Sequence, residues 1–355
     1  MKMISFNPYL IFLFLLGAVT ISQAQEHTKK FHEEIQVNPN ALIEINNSFG
    51  DLNITSWDED RVVIDVLISV FGKNSKKIEE KLNSIDVLFS LSPEKVMAET
   101  KINESWSFKW FSSSSLNYKI DYTIKLPRTS SVDLTNDYGT IRLNSLEGQA
   151  KISCDFGKMI LGELHASNNE LDFDYTSNST IDFIKGGIIN ADYSDFEIEK
   201  AGQIELNADY TNSYFNSVTV LNFNNDFGKM NLENVAILKG KGNYLTLKCG
   251  IISEQLTLDN EFGLIQIKQI NHSAKNIDID TEYTSIQLGI DKDWSFTYEI
   301  DLEYTDLKST FPLEHSVEKT NSTEKYYKGI YNQSSALSKL KITSEFGGVK
   351  LNLSN

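Results

Sequence analysis

Residues 150–164 read AKISCDFGKMILGEL, and this stretch contains the pattern that decides the fold. With Phe156 taken as position 0, apolar or small residues occupy positions −6, −4, −2, +3, +5 and +8. Spacing by two is typical of a β-strand whose alternate side chains point inward. The change from even to odd positions after Phe156 predicts a corner in the chain, and Gly157 allows the backbone to bend there.

The same pattern recurs along the rest of the chain. From Tyr138 to Tyr304 the aromatic residues follow one another at steps of 17 to 21 residues, and the last step, to Phe346, is 42 residues or two periods. A repeat this short cannot bury its own apolar face, so the copies have to stack on one another. The aromatic residues at position 0 are Phe49, Tyr138, Phe156, Tyr175, Tyr193, Tyr210, Phe227, Tyr244, Phe262, Tyr283, Tyr304 and Phe346.

Two strands and two corners in each copy leave no room for a helix. The repeat therefore predicts an all-β fold, a single-stranded parallel β-solenoid (β-helix) of 17- to 21-residue coils. Its coils would stack at about 4.8 Å, giving a rod on the order of 50 Å long. We expect the aromatic rings to point inward and to stack as a ladder. Glycine follows every Phe of the set, whereas Thr or Ser follows most of the Tyr residues.

The first 24 residues have the features of a signal peptide. Lys2 precedes an apolar run of twelve residues, 10–21, which is shorter than the roughly 20 residues that span a bilayer. Ser22-Gln23-Ala24 then offers small side chains for cleavage before Gln25. No second apolar run of spanning length follows. The sequence thus predicts an exported protein, periplasmic, on the outer surface or secreted, with no transmembrane segment in the mature chain.

Three segments follow from the breaks in the period. Residues 1–24 are the signal peptide, and residues 25–130 form an N-terminal β segment with the first copy and a helix carrying Ile78, Leu82 and Ile85. Within it, residues 58–127 are predicted to cover the exposed end of the stack. Residues 131–355 hold the other repeats, with a loop excursion near 310–335.

Composition and charge exclude several classes of function. The chain has 33 Lys and Arg against 49 Asp and Glu, a net charge of −16, and such a surface repels nucleic acid. The five histidines lack metal-ligand spacing, and no nucleophile-elbow or phosphate-loop motif occurs. Cys154 and Cys249 fall five coils apart and are expected to be buried and unbridged. We predict no catalytic residue and no organic cofactor.

An acidic residue precedes the aromatic residue in most copies. If this position points outward, stacking aligns the carboxylates in a row, where neighbouring charges repel by about 1 kcal/mol even in water. One interpretation is a ladder that binds Ca²⁺, which carboxylate oxygens suit. The other is that the acids help to form the corner, keep the rod soluble and prevent lateral pairing. The row comprises Asp137, Asp155, Asp174, Asp192, Asp209, Asp226, Glu261, Glu282, Glu303 and Glu345.

A second candidate site lies outside the repeats. Trp106, Phe108 and Trp110 alternate along a predicted strand, 105–111, and would share one face. Aromatic side chains in a row can bind sugar rings or another protein surface. Alternatively, they pack across the stack as part of the N-terminal cover.

Residues 46–70, NNSFGDLNITSWDEDRVVIDVLISV, resemble the opening of the bacterial putative adhesin families of β-solenoid type, which include the domain of unknown function DUF4097 and the head-domain auto-transporter adhesins. Residues 120–148 resemble the junction at which their first coils begin. The resemblance implies the solenoid fold and supplies no catalytic residues. The matching residues of the opening are Asn47, Gly50, Leu52, Ile54, Trp57, Asp58, Asp60 and Val62.

Three function classes remain. The first is an exported, non-enzymatic adhesin-like or cell-envelope interaction protein, whose partner is an envelope or surface protein or a glycan. The second is a carbohydrate-active enzyme on the same fold. The third is an envelope sensor or scaffold that binds another protein. The first is favoured because the sequence has long repetitive faces and no catalytic constellation.

Overall fold

The computed structural model of the protein describes residues 25–103, 116–333 and 335–354. These residues form strands almost throughout, together with one helix, α1 (Ser75–Asn83). The predicted signal peptide, residues 1–24, lies outside the described residues. In chain order the strands are β1 (Gln25–Gln36), β2 (Leu42–Ser48), β3 (Leu52–Trp57), β4 (Arg61–Gly72), β5 (Ile85–Leu91), β6 (Lys95–Ile102), β7 (Asn117–Pro127), β8 (Ser131–Asp137), β9 (Thr140–Leu146), β10 (Ala150–Asp155), β11 (Lys158–Leu164), β12 (Asn169–Asp174), β13 (Ser179–Asp192), β14 (Asp195–Asp209), β15 (Asn212–Asp226), β16 (Lys229–Asn243), β17 (Thr246–Ile270), β18 (Asn276–Ile290), β19 (Phe296–Glu303), β20 (Leu307–Ser309), β21 (Glu314–Thr320), β22 (Glu324–Tyr331), β23 (Ser338–Glu345) and β24 (Val349–Leu353).

Neighbouring repeat copies pair in parallel and in register. The segment before each aromatic residue pairs with the same segment of the next copy, so Cys154 lies between Asn136 and Phe173. The segment after it does the same, as Met159 does with Ile141. Identical positions therefore align into rows along the stack. The prediction of an all-β structure with parallel pairing between copies is confirmed.

The core lies between these two sets of segments. Ile152, Leu161 and Leu206 are among the fully buried aliphatic residues at the predicted inward positions. Cys154 and Cys249 are free and buried, as expected. Burial raises the pKa of both thiols to about 12, which keeps them protonated and unreactive at neutral pH.

The aromatic residues at position 0 point outward, and the prediction that they point inward is wrong. All twelve have positive φ, between 47° and 65°, the left-handed conformation that L-residues rarely adopt. This conformation breaks the alternation of an extended strand at the corner. The ring turns into solvent, and the next residue, such as Thr211, becomes buried in its place.

The N-terminal segment closes one end of the stack with antiparallel strands. β4 pairs antiparallel with both β1 and β7, and β5 pairs antiparallel with β6. Helix α1 begins after Asn74, whose side chain accepts a hydrogen bond from the Lys77 N–H at 3.1 Å. Ile78 is fully buried and Leu82 packs against the core, whereas Ile85, predicted on the same helical face, begins β5 instead.

The C-terminal copies are not arranged in chain order. β23 pairs in parallel with β18 on one side and with β19 on the other, so the last copy occupies the space between the two copies before it. The predicted excursion near 310–335 contains β21 and β22, an antiparallel hairpin that pairs with the outer edge of β19. No helix in the described ranges is long and apolar enough to cross a membrane.

Candidate functional site

The aromatic residues form one continuous exterior stack, which we call the aromatic ladder. Neighbouring ring centroids are 4.8 to 5.2 Å apart, and the ring planes differ by at most 8°. The side chains are 37% to 54% exposed. Each ring covers the face of its neighbour, so the ladder presents ring edges and phenol groups to solvent. Between Phe49 and Phe346 each ring face is therefore covered, and no face in this part of the ladder is open for a sugar to stack on.

The N-terminal end of the ladder is closed by two side chains from the covering segment. The ring of Tyr118 packs on Phe49 at 5.2 Å with a tilt of 56°, and the Lys81 ammonium lies 4.2 Å from the centre of the Tyr118 ring. Burial raises the pKa of Tyr118 and lowers the pKa of Lys81. This closure fits the predicted covering role of residues 58–127.

The acidic residues at position −1 form a row beside the ladder, which we call the acid row. Asp209, for example, lies in register between Asp192 and Asp226. The carboxylates also bond to the backbone, since the Asp209 N–H donates to Asp192 Oδ1 at 2.9 Å and the Asn243 N–H donates to Asp226 Oδ1 at 2.8 Å. Such bonds fit the interpretation that the acids help to form the corner.

Partial burial and mutual repulsion raise the pKa of several carboxyl groups in the acid row. Desolvation raises the pKa of Asp155, Asp174, Asp209 and Glu345, and the carboxylates of neighbouring copies raise it further. Among the described residues there is no group of three or more His, Cys, Asp or Glu side chains that could hold a metal ion. The binding of Ca²⁺ by the row stays a prediction.

The residues on either side of the ladder differ between copies. At several corners a side chain bonds to the backbone of a neighbouring copy. Asn136 at −2 does so through Nδ2, which donates to the Gly50 carbonyl at 2.9 Å, whereas Thr211 at +1 donates through Oγ1 to the Ala191 carbonyl at 2.7 Å. Gly follows the ladder where position −2 holds Asn47, Asn136, Cys154, Asn225, Asn260 or Ser344.

The outward positions −1, −3 and −5 of all copies together form what we call the leading face. Three grooves lie along it. The N-terminal groove, about 390 Å³, includes Lys151, Asp172 and Asn190 in its lining. The middle groove, about 500 Å³, has Phe223 and Leu258 among its lining residues. Neither groove was predicted, because each depends on which copies lie side by side.

The C-terminal groove, about 600 Å³, is formed between the leading face and the hairpin of β21 and β22. Asp301 and Glu303 line it from the stack, and Lys319, Glu324 and Tyr326 line it from the hairpin. Its lining holds three acidic residues and one Lys, the same balance as in the N-terminal groove. The hairpin thus forms a wall at this end of the leading face.

The other predicted site residues cannot be placed. Trp106, Phe108 and Trp110 lie outside the described residues, so their role as a binding platform or as packing stays a prediction.

No family model matches the chain, and no curated protein matches it. Eight chains of solved structures do match. One is a putative cell adhesion protein from Clostridium sporogenes, at 11% identity and a TM-score of 0.21, with 92% of this chain and 100% of that chain covered. A putative adhesin from Parabacteroides merdae matches at 9% identity and a TM-score of 0.34, covering 74% and 92%. A putative lipid binding protein from Parabacteroides distasonis matches at 10% identity and a TM-score of 0.26, with 91% of this chain and 96% of that chain covered.

Proposed function

We propose that the protein is an exported, non-enzymatic, adhesin-like or cell-envelope interaction protein whose repeat copies form a parallel β-solenoid. The supporting observation is the in-register parallel pairing of the copies, which aligns outward side chains into rows along the stack. Long regular faces are suited to binding extended or repetitive partners through surface complementarity. The resemblance of residues 46–70 to putative adhesin families points the same way.

The burial of the cysteine thiols and the positions of the histidines support the non-enzymatic part of this proposal. Both thiols in the described ranges are buried and held protonated, so neither can act as a nucleophile at neutral pH. Of the exposed histidines that pair with carboxylates, His32 lies on β1 with Asp65 at 2.7 Å, whereas His165 and His272 lie between strands. None of the three is among the residues that line the three grooves.

Two measurements test the proposal, cell fractionation and a binding assay with isolated cell envelope. The full-length protein is expressed in a bacterium with an envelope, located by fractionation, and the purified mature chain is mixed with isolated envelope. We expect it in an exported fraction and expect saturable binding to envelope material. Retention in the cytoplasm, or the absence of saturable binding, would contradict the proposal.

The enzyme alternative has one specific observation behind it, the C-terminal groove with Asp301, Glu303 and Glu324. Most glycoside hydrolases use two carboxyl groups that flank the glycosidic bond. Incubation with a panel of polysaccharides tests this alternative directly. Release of reducing ends by the native protein, lost in Glu324→Gln, would establish the enzyme and displace the proposed function.

The calcium prediction for the acid row is tested by calorimetric titration with Ca²⁺. Binding should produce heat and raise the melting temperature, because a divalent cation relieves the repulsion between neighbouring carboxylates. If Ca²⁺ changes neither, the acids serve the corner and solubility alone.

A further inference from the structure

The three grooves share one face of the molecule. The N-terminal and middle grooves are both lined by residues at positions −5 to −3 of successive copies, and the C-terminal groove continues at Asp301, which is also at position −3. Register pairing places these positions in straight rows. The grooves therefore follow one another along the stack and form a track for a linear ligand.

Exposed asparagines connect the N-terminal and middle grooves. Asn190, Asn207 and Asn224 occupy position −3 of three consecutive copies and lie in register. The Asn207 Nδ2 donates to Asn190 Oδ1 at 3.0 Å, so the amides are aligned along the track. Each amide has both a donor and an acceptor, and these complement hydroxyl groups, which also donate and accept.

Three lysines within the track pair with carboxylates of neighbouring copies. Lys151 lies 3.3 Å from Asp133, Lys241 lies 3.1 Å from Asp259, and Lys341 lies 3.8 Å from Asp278. The middle groove is therefore balanced in charge, with three Asp and three Lys in its lining, whereas each of the other two grooves has three acidic residues and one Lys. The acid row runs beside the track, at position −1, and repels a polyanion. In the middle groove, a polycation would have to break the lysine pairs before it could use the carboxylates of Asp259 and Asp278.

We propose that the leading face binds a linear, uncharged polysaccharide that runs along the stack through the grooves and over the asparagines. Hydroxyl groups of the sugar exchange hydrogen bonds with the amides and with side chains such as Thr257 in the middle groove. The proposal rests on the proposed function and names the class of ligand at that face. Because the track crosses many copies, binding strengthens with the length of the glycan.

The experiment measures binding of the mature chain to soluble neutral glucans, mannans and xylans by calorimetry, with chitosan and alginate as cationic and anionic comparisons. The test variant is Asn190→Ala/Asn207→Ala, which removes the central amides. The matched control is Asn216→Ala/Asn234→Ala, which removes two amides that follow the ladder and bond to Glu199 Oε1 at 2.6 Å and to the Asn216 carbonyl at 3.3 Å. All four side chains lie on the surface, and melting temperatures report whether the fold is intact.

We expect at least one neutral glycan to bind, with at least tenfold weaker binding in the test variant and unchanged binding in the control. Equal loss in both variants would overturn the proposal, as would binding of chitosan or alginate only. Absence of all glycan binding would also overturn it. The proposed function survives that last result if the chain still binds isolated envelope, so the two failures can be distinguished.

Discussion

The rings of Tyr283 and Phe346 stack face to face, with centroids 4.8 Å apart and planes 6° apart, although 63 residues separate them in the chain. Tyr304 stacks on the other face of Phe346, also at 4.8 Å. The last copy therefore lies between the Tyr283 and Tyr304 copies, both in the ladder and in the sheet. The strand β23 of this copy is paired on both sides, with β18 and with β19, unlike a strand at the edge of a sheet.

The position of the last copy predicts the effect of Leu351→Ala. Leu351 is fully buried at position +5, between the partners of β24 in β18 and β20. We expect a loss of about 2–5 kcal/mol in the free energy of unfolding, as for a truncation in the centre of a core. Chemical denaturation measures it. Leu232→Ala, at position +5 of a central copy, is the matched control, and a loss several times smaller at Leu351 would show that the last copy frays.

The ladder predicts that Tyr210→Ala destabilises the protein. The substitution removes the ring that stacks on both Tyr193 and Phe227. The alanine at this position keeps the left-handed backbone, with φ 53°. The expected loss is about 1–3 kcal/mol, from two aromatic pairs. Tyr210→Phe keeps the stack and should stay within about 0.5 kcal/mol of the native protein. Similar melting curves for Tyr210→Ala and the native chain would mean that the ladder contributes nothing to stability.

The acid row predicts that Asp209→Asn is stabilising. Its pKa in the folded protein is raised above the usual 3.8, by desolvation first and then by Asp192 and Asp226, so the charged form opposes folding at neutral pH. Asparagine removes the charge and keeps a hydrogen-bond acceptor, and Asn243 already occupies this position in another copy. Because Asp209 is exposed, the gain should be a few tenths of a kcal/mol.

The pH dependence follows from the direction of that shift. A raised carboxyl pKa means that the folded state takes up its proton first as the pH falls. The advantage of Asp209→Asn is therefore fully present at neutral pH and disappears as the pH falls through the folded pKa towards 3.8. Thermal unfolding of both proteins at pH 7 and pH 3.5 measures it, and added salt should reduce it. An advantage that is the same at both pH values would rule out the electrostatic cause.

The corner predicts opposite outcomes for two glycines. A Cβ at Gly139 would lie 1.8 Å from the Gly50 carbonyl oxygen and 2.9 Å from Asn136 Nδ2, whereas a Cβ at Gly348 meets nothing within 4 Å. Gly139→Ala should therefore lower the free energy of unfolding by about 2 kcal/mol or more, because the backbones of the two neighbouring copies have to move apart. Gly348→Ala should be neutral or slightly stabilising. Denaturation midpoints compare the two, and a tolerated Gly139→Ala would show that the corner can move apart.

Much of the fold could be predicted from single residues and their spacing. In most copies the residues at −6, −4, +3 and +5 face the core as the alternation indicates, whereas Asn178, at +3 of the Tyr175 copy, is exposed. The acids at position −1 align in register between copies, as Asp192, Asp209 and Asp226 do. The grooves could not be predicted, since residues such as Phe223 and Asp280 become neighbours only after the copies have paired.

The sequence by itself determined the repeat, the strands and which positions of most strands face the core, because period-two alternation is a local property of an extended chain. The tertiary structure alone decided the direction of the aromatic rings and the order of the last copies. The rings turn outward because the backbone at each corner is left-handed, and there the alternation that predicts side-chain direction no longer holds. The order of copies depends on pairing between distant strands of near-equivalent pattern, a choice that no local spacing encodes.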